Sequence, residues 1–484
     1  MVIRITTVPM RITTVPVRIA TVPIRRGRAP IRAPRPDGRL VRRGGTVLNP
    51  RMPHRLDTVD DPVPPPARAA EAAPRQTRRY AQKRDAILHA AAALFNEAGV
   101  KGTTLTDVAR SVGLMTNSVT YYYRRKEDLA AACFLHTIGV LDGLVAQAEE
   151  APTAPARLQR LLDLAVAHRA ALAAGAEPDI AVLNDVRALP APQAESVFRA
   201  YNALFRRLRG LFDDGALDRQ DRNARTHLLL SVLHSTRLWI GRYEPRDYAR
   251  AAQRMGDLLI HGMTAPGSAW NPRLLPEPAR PEESEVSPEA FLRAATILIN
   301  QQGYRGASVE KISGLLKVTK GSFYHHNDNK DDLVANCFAR SFAQIRAVQD
   351  AAAEAGGSGW ERICTASATL VRNQLGPGGP LLRVTAFSAL PEALRTETRR
   401  TMNRLTERFG FCLVDGMADG SVRPLDAGIA AQLVSSMVNA AAELPAWVPG
   451  ITPETAAGLY ARPLFLGLFA PAAVAAQAGT APRS

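Results

Sequence analysis

Cysteine is scarce in this 484-residue chain: four residues, Cys133, Cys337, Cys364 and Cys412, none at CxxC spacing. That argues against a disulfide framework and a thiolate zinc site, and suits a reducing cytoplasm. Aromatic residues make up only 6% of the chain. β-Branched residues are not enriched in its body, which disfavours sheet. No uninterrupted apolar run reaches the roughly 18 residues of a membrane span. The N-terminus has no apolar core followed by a small-residue cleavage site, so neither a secretory signal nor a membrane partner is expected. Nucleophile elbows, phosphate loops and metal-spaced His/Cys clusters are missing, so no enzyme, cofactor or metal is expected. What is abundant is alanine, the best helix former, so the chain is expected to be all-α.

The formal net charge of +16 suggests nucleic acid, but its location matters. Residues 1–79 hold 17 Arg against 5 acidic groups, while the remaining 405 residues hold 44 basic and 40 acidic groups. The first stretch repeats a seven-residue unit from Arg4, Arg11 and Arg18, then runs into Pro/Arg-rich sequence. Proline at every seventh position forbids a continuous helix, and little apolar surface is available to bury. It reads as a disordered basic tail; an upstream stretch wrongly joined to the coding region would look similar. Its functional reading is an arm adding non-specific DNA affinity.

From Tyr80 the texture changes. Ile87, Ala90, Ala91, Leu94 and Phe95 share one helix face, stopped by Gly99. The same spacing returns at Phe291, Ala294, Ala295, Leu298 and Ile299, stopped by Gly303. Sliding the chain on itself by 204 residues matches 15 of 50 positions across 85–134 without a gap. This is an internal duplication. It predicts a tail at 1–79, a head at 80–134 and a helical body at 135–264. A Pro-rich linker follows at 265–286, then a second head at 287–338, a second body at 339–472 and a flexible end at 473–484. Body helices are expected near 155–174, 190–213, 222–241 and 246–263, and again near 358–375, 391–416, 426–444 and 453–468.

Each head carries one related corner, "MTNSVTYYYRRKEDL" at 115–129 and "TKGSFYHHNDNKDDL" at 319–333. In the first, Thr104 and Asp107 form a capping-box pattern, Val108 and Val112 give a short helix an inner face, and Gly113 turns the chain. A second short helix follows, with Val119 and Tyr122 inward. Two short helices about a glycine turn make a helix-turn-helix. Thr116, Asn117, Ser118, Thr120 and Tyr121 are left outside, suited to base edges and phosphates. Lys126 opens the next helix within reach of a phosphate. Tyr122 and Tyr123 also suit packing between helices.

The run "GLMTNSVTYYYRRKEDL" resembles the DNA-binding head of the tetracycline-repressor (TetR) family, with Gly113, Tyr122, Lys126 and Leu129 matching its third-helix pattern. In that family a capping Ser is usual where Met115 stands, so the resemblance implies that Thr116 or Asn117 caps instead. The second copy resembles that head from 287 to 338, through Thr319, Gly321, Tyr324, His325 and Lys330. It departs at Lys317, where the turn glycine belongs, and at Asn327, where an aromatic is usual. That second exchange costs roughly 2–4 kcal/mol of packing if nothing compensates. The second head is therefore either competent or degenerating.

The resemblance implies two tandem three-helix heads, each with a larger ligand and dimerisation body. It places Thr104, Thr116, Asn117, Ser118, Thr120, Tyr121, Tyr122 and Lys126 of the first copy on DNA. In the second it places Ser308, Thr319, Lys320, Ser322, Tyr324, His325 and Lys330 there. It implies a cytoplasmic regulator of a double-stranded operator, released by a small apolar effector. The two units pair either within the chain, through Leu228, Leu229, Val232 and Leu233 against Leu433, Val434, Met437 and Val438, or between chains as a homodimer. The alternative is a helical binding module whose heads no longer read DNA. His227 and His234, seven apart on one face, read as core or interface histidines rather than metal ligands.

Overall fold

The computed structural model describes residues 78–183, 186–213, 215–277, 287–315 and 329–471. The expected tail lies outside them except for Arg78 and Arg79, which open the first helix; Lys317, Thr319, Lys320, Gly321, Ser322, Tyr324, His325 and Asn327 of the second corner also lie outside. Among the described residues the elements are helical, with one isolated bridge, Thr264 to Val422, and no strand.

The first copy runs α1 (Arg78–Gly102), α2 (Leu105–Ser111), α3 (Thr116–Tyr122), α4 (Lys126–Ala148), α5 (Ala154–Ala173), α6 (Ala191–Arg209), α7 (Arg219–Trp239) and α8 (Tyr248–His261). The second runs α9 (Pro288–Gly306), α10 (Val309–Leu315), α11 (Lys330–Glu354), α12 (Gly359–Leu375), α13 (Glu392–Ala418) and α14 (Ala427–Ala440). Short helical turns at 444–447 and 453–466 close it. Corresponding helices start on the same chemistry. Thr153 and Ser358 cap α5 and α12, and Asp218 and Asp426 cap α7 and α14. Each such cap contributes about 1 kcal/mol. Gly99 and Gly303, at φ 70° and 73°, kink the last turns of α1 and α9, a conformation that a Cβ strongly disfavours.

The duplication extends to individual hydrogen bonds. Cys133 Sγ donates to Leu88 O at 3.4 Å, and Cys337 Sγ to Leu292 O at 3.6 Å. Burial raises both thiols, to about 12 and about 11. The Asn96 amide donates to Ile180 O (2.9 Å) and accepts from Val182 N (2.7 Å). Asn300 does the same with Leu381 O (2.8 Å) and Arg383 N (3.0 Å). One side chain on each head's leading helix thus grips a short extended strap of its own body. Beyond the grip, the turn Val186–Ala188 packs on α9, the other copy's leading helix, and Val384–Ala389 packs on α1 as well as on its own α9. The straps are crossed.

The copies meet along α7 and α14, which pack directly. Leu228, Leu229 and Val232 face Leu433, Val434, Met437 and Val438, all at 3% exposure or less. Burying each stabilises the fold by roughly 1.5–3 kcal/mol. Polar contacts fix the register: Ser235 Oγ lies 2.6 Å from Ser436 Oγ, and His227 Nε2 donates to Ala440 O at 3.2 Å. The closing segment of the second copy lies on the first, where buried Arg225 donates to Leu468 O and Ala470 O. One core therefore runs through the first head and both bodies, while the second head has its own around Phe291, Ile312 and Phe338.

Two sequence expectations are refined. The first part of the Pro-rich stretch, residues 265–277, lies along α12: Arg273 N and Leu275 N donate to Thr365 and Thr369 hydroxyls, and Trp360 Nε1 donates to Ala269 O. Separately, α4 is long and apolar enough by composition to cross a membrane. Here it packs against α1, α5 and α6, which take up its Leu129, Phe134, Ile138 and Val145.

Between the bodies sits one carboxylate shared by two arginines. Glu443 Oε1 lies 2.7 Å from Arg187 of the first copy and 2.8 Å from Arg383 of the second. Burial pushes the Glu443 carboxyl up, but Arg383 and Arg187 outweigh it and hold it at about 2. Its contribution is complete above pH 4.5, the ordinary value, and is lost as pH falls toward 2. Glu443→Gln should lower unfolding free energy at pH 7 by about 3 kcal/mol, because two largely buried cations lose their counter-charge. Denaturant titration of both chains at pH 7 and pH 3 checks this: the gap should narrow at the lower pH.

Candidate nucleic-acid interface and internal cavity

The first head builds the corner expected from sequence. Thr104 caps α2 in a reciprocal box: its N–H reaches Asp107 Oδ2 at 3.0 Å, and Asp107 N reaches its Oγ1 at 3.1 Å. Those bonds, the Thr104 hydroxyl first, hold the Asp107 carboxyl below its usual range. Gly113, at φ 65°, makes the turn, with Leu114 N bonded back to Ala109 O at 2.8 Å. Val108 and Val119 are fully buried beneath it.

The start of α3 differs from expectation. Met115 is the cap residue and makes no side-chain cap bond, so neither Thr116 nor Asn117 caps. Thr116 Oγ1 instead reaches across to Thr106 Oγ1 at 3.3 Å and ties α3 to α2. Thr120 is partly exposed, its hydroxyl donating to Asn117 O at 3.0 Å. Asn117, Ser118 and Tyr121 stand exposed. Tyr121 is 75% exposed and Met115 78%, so one aromatic and one thioether flank the polar edge. Tyr122 is half-buried against Tyr80, ring centroids 4.7 Å apart. It supports the edge more than it extends it. Burial pushes the Tyr123 hydroxyl up to about 12. Lys126 opens α4, its ammonium 3.5 Å from Lys101 O. Lys101, Arg124 and Arg125 are exposed too, a basic rim of which the last two belong to the basic cluster seen in the sequence.

In the second head Ser308 holds the place of Thr104, its hydroxyl accepting from Lys311 N at 3.3 Å. Lys330 opens α11 with its ammonium 4.3 Å from the Tyr304 ring centre. The rest of that edge lies outside the described residues.

Behind the heads a cavity of about 320 Å³ runs between the bodies. Both straps line it, through Ile180, Ala181 and Val182 and through Leu381, Leu382 and Arg383. Leu141, Leu204 and Leu230 supply apolar wall, and Trp447 reaches in from the second copy, stacked 4.7 Å from Phe205. The wall is not purely apolar: Arg169, Arg187, Arg237, Arg383, His227 and His234 also face it. Burial lowers both histidines, His234 to about 4.

A capped pair of short helices about a glycine turn is a helix-turn-helix. The family model "Bacterial regulatory proteins, tetR family" matches twice, at residues 87–133 and 291–337. The chain thus carries two tandem heads of that family. It is 39% identical over 59 residues to the Transposon Tn10 TetC protein of Escherichia coli, covering 12% of this chain and 30% of that one. It is 25% identical over 135 residues to the HTH-type transcriptional repressor DhaR of Mycobacterium sp. (strain GP1), covering 28% and 68%. It is 30% identical over 95 residues to the HTH-type transcriptional repressor KstR2 of Mycolicibacterium smegmatis, covering 20% and 45%. The chain thus spans less than a third of TetC and under half of KstR2. Among solved structures, the TetR family regulator PfmR from Thermus thermophilus aligns at TM-score 0.32 and 22% identity, over 37% of this chain and 98% of that one.

Thr104→Ala should cost about 1 kcal/mol, concentrated in α2. Hydrogen exchange should accelerate at Asp107 and Val108 while α5 and α7 stay protected.

Proposed function

We propose that the chain is a ligand-responsive repressor whose two heads read two unlike halves of one operator. The crossed straps carry this reading, since each body grips its own head and braces the other's. On this reading α3 lays Asn117, Ser118 and Tyr121 into the major groove, and Lys126 with the basic rim contacts phosphates. The second copy's edge does the same with a different set, Lys320, Ser322, Tyr324 and His325, with Lys330 on a phosphate. A conventional two-fold reader needs two chains to hold its heads about 34–36 Å apart. On this reading the α7–α14 seam holds the two heads at such a spacing within one chain. Repression, rather than activation, is supported by the names of the relatives DhaR and KstR2.

An effector in the cavity would act on spacing because the cavity wall is also the head's anchor. A ligand that prefers one strap position biases head placement by its differential affinity, commonly 1–3 kcal/mol.

Lys126→Ala should weaken binding to all duplexes alike and lower the salt slope of log K by about 1. Fluorescence anisotropy from 50 to 200 mM salt measures this, and an unchanged slope removes Lys126 from the phosphate contacts. Asn96→Ala unpairs strap groups and touches no phosphate. It should weaken operator binding about fivefold while leaving the salt slope unchanged; full affinity would show that the strap does not set head placement.

A further inference from the structure

The cavity has an unusual end. Arg169 on α5 and Arg237 on α7 both face it, and among the described residues neither guanidinium has a hydrogen bond or ion pair. The groups bearing on Arg169 are exposed Asp179, which attracts it without forming an ion pair, and Tyr248 on α8. Burial first, then the Arg169 charge, brings Arg237 down to about 10. Three more polar atoms in this wall are buried without partners: His168 Nε2, His234 Nε2 and Trp239 Nε1. Trp239 is only 4% exposed. Natural interiors leave few such groups unmatched, and unpaired like charges at half-buried sites are costly.

The second body lacks this feature. Counting from their caps Thr153 and Ser358, Arg169 corresponds to Gln374. Gln374 is fully engaged, donating to Val438 O and accepting from Leu381 N at 3.0 Å. Counting from Asp218 and Asp426, the Arg237 position falls at Pro445, beyond the end of α14. The cationic end therefore belongs to one body only.

The geometry points to a single site per chain for an amphiphile with an anionic head, a carboxylate or a phosphate monoester, held between Arg169 and Arg237. Its apolar part extends along Leu141, Leu204 and Leu230 toward Trp447. A planar carboxylate or a phosphate takes paired N–H donors from guanidinium groups, and bringing it here neutralises the repulsion between Arg169 and Arg237. The inference rests on the reading of the cavity as an effector site, and replaces the purely apolar effector expected from sequence with an acidic one.

The test uses the full chain and matched probes: hexanoate, octanoate and decanoate, the alcohol of each length, and octyl phosphate. Calorimetry should give one site per chain. At the best-fitting length an anion should bind at least about tenfold tighter than its alcohol, a difference of about 1.4 kcal/mol. Comparing octanoate with octyl phosphate tells the two head groups apart. Arg169→Gln with Arg237→Gln should remove the preference while alcohol binding persists. The double variant without ligand should melt at the same or a higher temperature, because a repulsive pair is gone. The proposal is overturned if no anion outbinds its alcohol, if the preference survives the double variant, or if that variant melts lower. Gel shifts on the same samples read regulation separately. An anion that binds through the pair without changing DNA affinity supports the site and removes the effector role.

Discussion

An asparagine amide carries a donor and an acceptor on one plane, so it can pair with extended backbone as a neighbouring strand would. Asn96 and Asn300 each use both groups on a single strap. Neither bond pair is strong alone, since a neutral hydrogen bond contributes about 1 kcal/mol net. Their position gives them consequence. The gripped straps are also the cavity wall, and their continuations brace the opposite leading helices. Arg187 closes the arrangement, bonding Asn300 O at 2.6 Å with one nitrogen and Glu443 with the other. A change in the cavity has a short packed route to both heads.

The rest of the architecture keeps those straps in place. One apolar core joins the first head to both bodies through the α7–α14 seam. A two-chain protein would lose that joint on dilution, whereas here it is held by covalent connection. The same connection removes the symmetry that identical chains impose. Each copy is free to keep different residues at equivalent places, as Arg169 and Gln374 show. The corner sequences at 115–129 and 319–333 differ in the same way.

Much of this was legible in the sequence. Helix periodicity, paired glycines and the capping pattern at Thr104 announced the heads because local chemistry alone determines them. Cys133 and Cys337 matched for a packing reason that the structure makes explicit. Met115 misled, because the hydroxyl expected to cap α3 found a better partner in Thr106. Asn96 and Asn300 were an aligned pair without a visible purpose, since their partners lie more than 80 residues away. Glu443, inside "NAAAELPAW", carries no local mark of its two arginines. Arg169 and Arg237 look in sequence like solvated helix faces; only the packing of α5 beside α7 turns them inward. The sequence thus revealed what neighbours along the chain decide, and hid what distant segments decide together.

The central claim is that one chain holds two unlike reading edges at a fixed spacing. Selection of bound duplexes from a random pool, using the effector-free full chain at modest ionic strength, tests it most directly. The account predicts a bipartite motif with two different halves about one helical turn apart, occupied by one chain as judged by the mass of the complex. A perfect palindrome occupied by two chains, or no recovered motif, would contradict it.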